Sequence, residues 1–80
     1  KNINMEATLE YYTTELKRFK TTSSKKAFLT RSIKDDESYL ADLEQSYNGS
    51  GWLHGERVSR REIRNITIEI ELLKSLYKKV

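Results

Sequence analysis

Eighty residues with a net charge of +3, 36% apolar side chains and no cysteine describe one small domain with room for only a thin core. They exclude a disulfide framework, thiolate chemistry and any cysteine-based metal site. No apolar run reaches the ~20 residues a membrane span needs, and no charged-then-apolar leader is present, so a cytoplasmic setting without membrane contact is expected.

A first helix is expected over about 4–20, where Met5, Leu9, Tyr12, Leu16 and Phe19 recur at helical spacing. Asn2 or Asn4 could cap its start, and Lys17, Arg18 and Lys20 suit the negative end of its dipole. Thr21-Thr22-Ser23-Ser24 follows, and its hydroxyls compete for backbone hydrogen bonds, which favours a turn and a new cap. Without Gly or Pro at this point, one continuous helix over 4–47 is the alternative.

The second helix is expected over 25–47, with a seam of Leu29, Ile33, Leu40, Leu43 and Tyr47 in which Asp36 takes an apolar slot. Asp36 reads as a polar break that fixes register, or as a solvated position. Its neighbours Asp35 and Glu37 point in other directions on a helix and do not converge on one ion. Asn48-Gly49 supplies a left-handed stop.

The segment 48–58 is expected to be a loop; it holds all three glycines and the only Trp and His. Trp52 and Leu53 either close the end of the bundle or protrude as an anchor for a partner, Trp being the residue type most enriched in binding hot spots. His54 lacks the second His or Cys of a metal site, and nothing in the chain calls for a metal or cofactor. No nucleophile triad or phosphate-cradling glycine motif is present, so an enzyme is not expected.

The third helix is expected over 60–79. Ser59 and Glu62 form a capping box, Val58 can staple onto the first turn, and Ile63, Ile66, Ile70, Leu73, Tyr77 and Val80 make the seam. Residues 65–72 also alternate as a strand would, but no other segment offers a pairing partner. As helix, the same alternation puts Ile68, Leu72 and Leu76 off the main seam, so this helix is apolar on two faces. Either it lies between two helices, or its second face meets another subunit.

Charge is segregated. Residues 1–34 carry eight Lys/Arg against three Glu, residues 35–56 carry six acids and no Lys or Arg, and residues 57–80 carry seven basic groups against three acids. Arg57, Arg60, Arg61 and Arg64 crowd the amino end of the third helix, where the dipole already favours anions. Their partner is either internal, Asp42 and Glu44 of the acidic helix, or external, a nucleic acid or phosphorylated ligand. Lys25 and Lys26 with Lys17, Arg18 and Lys20 make a second basic group.

The fold class expected is all-α, a small antiparallel hairpin or three-helix bundle with coiled-coil-like seams that assembles as a homo-oligomer. The function expected is non-enzymatic binding that inhibits or adapts another macromolecule, a protein first, with Trp52, Leu53, Ile68, Leu72 and Leu76 as contacts. A nucleic-acid-binding regulator using the four arginines is the alternative.

Overall fold

The computed structural model describes residues 5–80 and is mostly helical, in the order α1 (Met5–Leu16), α2 (Thr22–Asn48), β1 (Trp52–Leu53), β2 (Glu56–Arg57) and α3 (Arg60–Lys79). Asn2 and Asn4, the expected caps of the first helix, lie outside the described residues.

Three helices form, and the hydroxyl-rich stretch separates the first two. Thr21 is extended (φ −116°, ψ 153°), and its Oγ1 accepts from the Ser24 amide at 3.0 Å, so α2 begins at Thr22 rather than near 25. Helix α1 ends at Leu16, short of the expected 20, because the chain tightens: the Lys17, Arg18 and Phe19 amides donate to the carbonyls three residues back at 3.1–3.2 Å. Phe19 still reaches the interior, its ring 5.2 Å from that of Phe28.

Helix α2 stops where expected, by a different geometry. Gly49 is not left-handed but sits at φ −101°, ψ −112°, its N–H donating to the Gln45 and Ser46 carbonyls. A Cβ there would lie 3.2 Å from the Gln45 carbonyl oxygen, a contact tight enough that the exit favours glycine. Helix α3 opens on one half of its expected capping box, the Glu62 amide donating to Ser59 Oγ at 3.2 Å while the Glu62 carboxylate accepts from Tyr39. The alternating segment 65–72 is helical throughout.

Helices α2 and α3 pack as an antiparallel hairpin, fixed in register by Tyr39 Oη donating to Glu62 Oε2 at 2.8 Å and by Lys74 near Glu37 at 3.6 Å. At ~1.5 Å per residue α2 alone spans ~40 Å, which sets the 44 × 21 × 19 Å shape of the molecule. Helix α1 lies on α3 at the end away from the β strands, where Leu16, Leu29, Leu73 and Leu76 make the core with Tyr12, Phe28, Ile33, Leu72 and Val80 around it. The second apolar stripe of α3 is covered only in part. Leu76 is buried, while Leu72 and Ile68 are half-buried and line an open groove with Met5 and Leu9 of α1.

Four seam positions depart from expectation. Met5, Leu9, Tyr47 and Tyr77 are 48%, 42%, 38% and 37% exposed. The Lys26 ammonium lies 5.3 Å from the Tyr77 ring centre, a cation–π contact that uses one lysine of the second basic group.

Candidate interaction surface at the hairpin end

The expected 48–58 loop contains a β-hairpin. Trp52 pairs with Arg57 and Leu53 with Glu56, leaving His54 and Gly55 as a two-residue turn. Both turn residues have positive φ, 52° and 81°, the combination a type I′ turn requires and the one whose twist suits a hairpin. The ladder continues with the Val58 amide donating to the Gly51 carbonyl at 2.8 Å, and Val58 itself is buried, anchoring the hairpin to the helices.

Strand alternation divides the functional candidates. Residues opposite one another share a face, so Trp52 and Arg57 stand together while Leu53 and Glu56 turn to the other side. Trp52 is 53% exposed. Leu53 is half-buried and lines a small cleft with Tyr39, Leu43 and Val58. The two residues expected to act together are thus separated, Leu53 closing the bundle end and Trp52 facing water.

The arginines gather on the same end of the molecule. Arg57, Arg60, Arg61 and Arg64 are all exposed, and the last three share neighbouring faces of the first turns of α3. Arg60 Nε donates to Tyr47 Oη at 2.8 Å, with its guanidinium carbon 5.9 Å from the ring centre, so the hydrogen bond rather than the ring face holds it. The internal partner expected from Asp42 and Glu44 does not form: the ion pairs among the described residues are Arg18 with Glu15 and Lys74 with Glu37. Glu62, next to Arg61 in sequence, is taken by Tyr39, and that hydrogen bond, with burial, holds the Tyr39 phenol above its ordinary range.

A second polar cluster lies midway along the bundle, where each helix contributes one group. Tyr12 Oη of α1 donates to Glu69 Oε2 of α3 at 3.2 Å, and Asp36 of α2 adjoins the same carboxylate. Asp36 Oδ2 is sealed from water and accepts no hydrogen bond. Burial first, then the hydrogen bond and charge of Glu69, push the Asp36 carboxyl up to about 8. Burial and the same two carboxylates also raise the Tyr12 phenol far above its usual range, so it remains a donor. Glu69 is the member that periodicity did not single out, because it falls on the polar positions of the 65–72 alternation.

Among the described residues no helix is long and apolar enough to cross a membrane. No group of three or more His, Asp or Glu among them is arranged to hold a metal ion. No protein family, curated protein or solved structure shows significant similarity to this chain.

Proposed function

We propose that this chain is a small non-enzymatic, cytoplasmic binding protein that docks on an acidic surface of a protein partner through its hairpin end, and acts by occluding or scaffolding that partner. The observation that carries the reading is Trp52, half exposed and set across the ladder from Arg57, beside arginines that form no ion pair among the described residues. Trp, Tyr and Arg are the residue types that dominate binding energetics, and Trp52, Tyr47, Arg57 and Arg60 bring all of them to one end. An exposed indole held on a two-residue ladder is fixed at its backbone, so less entropy is lost when it is buried.

The second reading, nucleic-acid binding, is favoured by the same guanidiniums, none of them in an ion pair among the described residues, together with the Trp52 and Tyr47 rings beside them, which suit phosphates and stacked bases. One set of titrations separates the two. Labelled duplex DNA and single-stranded RNA are titrated from low to physiological salt with wild type and the Arg60→Glu/Arg61→Glu variant. In parallel, a protein captured by wild type is purified and its affinity measured against Trp52→Ala and Arg57→Glu. The proposal expects nucleic-acid affinity to vanish at physiological salt, and a loss of about thirtyfold or more in protein affinity for Trp52→Ala, the scale of a hot spot. Nucleic-acid binding that survives physiological salt and collapses in the double variant would replace it with the second reading.

A further inference from the structure

We propose that the Asp36–Glu69 carboxyl pair, with the Tyr12 hydroxyl bonded to it, is a proton-controlled latch that holds α1 on the α2–α3 hairpin and releases it when the pair gives up its shared proton.

The geometry sets the requirement. Tyr12, Asp36 and Glu69 come from three different helices, so this contact is where α1 meets the other two through polar groups. Two ionised carboxylates are acceptors only, and Asp36 Oδ2 then faces the interior with no donor at all. One proton between the two carboxyls supplies that donor and removes a like-charge repulsion. Tyr12 meanwhile donates to Glu69.

The surrounding groups give no other relief. Tyr12 faces the pair from α1 with Tyr11 edge-on behind it, Asp35 adds a further negative charge from α2, and Glu69 comes from α3. Neither carboxyl is in an ion pair with a lysine or arginine among the described residues. With Asp36 pushed up to about 8, the shared proton leaves just above neutrality.

Helix α1 is the element that gives way. It spans 12 residues, is joined to α2 by a short hydroxyl-rich turn and buries only Leu16 fully, whereas α2 and α3 share the long hairpin interface. Its release uncovers Leu72 and Leu76 and widens the apolar stripe that begins at Ile68.

Backbone amide exchange on the full chain, expressed as protection factors from about pH 6 to about pH 9, tests the latch. Protection of α1 amides is expected to fall by about tenfold or more across that range while α2 and α3 keep theirs. Asp36→Asn, which cannot ionise, should hold α1 protection flat. Constant α1 protection in wild type, an equal fall in all three helices, or the same fall in Asp36→Asn would each overturn the proposal. Should the Asn variant not fold, the wild-type Asp36 carboxyl carbon decides: a titration step near pH 8 sustains the latch, and a step only below about pH 5 overturns it.

Discussion

Asp36 shows what a single residue discloses at each level. Its place in an apolar seam marks it as a break in the pattern of α2, and that much is legible from spacing alone. What the break faces is not, because an acid meeting an acid runs against the pairing that charge segregation suggests, and Glu69 carries no periodic signal. The consequence for stability follows from linkage. Asp36 titrates near its ordinary 3.8 in the unfolded chain and at about 8 when folded. The stabilisation is fully present below about pH 4, drains away as pH rises and only the folded state keeps the proton, and is gone above about pH 8. An Asn at this position donates permanently and does not titrate. Asp36→Asn should match wild type at pH 4 and exceed it at pH 8 by on the order of 1 kcal/mol, a value discounted because Asp36 as a whole is only half-buried, although its Oδ2 is covered. Urea unfolding at the two pH values reads this directly, and parallel stability curves would contradict it.

Elements were legible where capping chemistry punctuates the chain and illegible where it does not. Ser59 and Glu62 place the start of α3 at Arg60, and Thr21 separates α1 from α2 by accepting a bond from Ser24. The hairpin is not legible because strands of two residues are too short to alternate, and because His-Gly lacks the Asn-Gly or Asp-Gly signature of a two-residue turn. The available signal was a residue–glycine pair between two short runs, Trp52-Leu53 and Glu56-Arg57. Without it, Trp52 and Leu53 read as a unit that either closes the end or anchors a partner, when the pleat sends them to opposite faces. His54→Asn should stabilise the protein by about 0.5 kcal/mol, since Asn-Gly is the preferred I′ pair. Gly55→Val, β-branched at φ 81°, should cost at least about 1 kcal/mol. Two neutral substitutions in urea melts would mean the turn does not hold this geometry in solution.

The whole molecule rests on few buried side chains. Leu29, Leu43 and Leu73 are the large residues with essentially no exposure, and polar side chains supply none of the fully buried set. A chain of 80 residues typically holds about 4–12 kcal/mol of stability. Leu73 sits where α3 meets both other helices, packed with Leu16, Leu29 and Leu76, and a closely packed junction of helical backbones cannot collapse far into a void. Leu73→Ala should therefore cost about 2–5 kcal/mol, comparable to a large part of the total. Leu9→Ala, on the 42%-exposed rim of α1, should cost under about 1 kcal/mol. The measurement must follow helicity rather than tryptophan emission, because Trp52 is half exposed in the native state and its environment changes little on unfolding. Equal losses for the two leucines would place the cohesion of the molecule outside the Leu16–Leu29–Leu73–Leu76 junction. A large loss for Leu73 alone would tie the position of the distant hairpin end to that junction, since α2 and α3 run unbroken from one to the other.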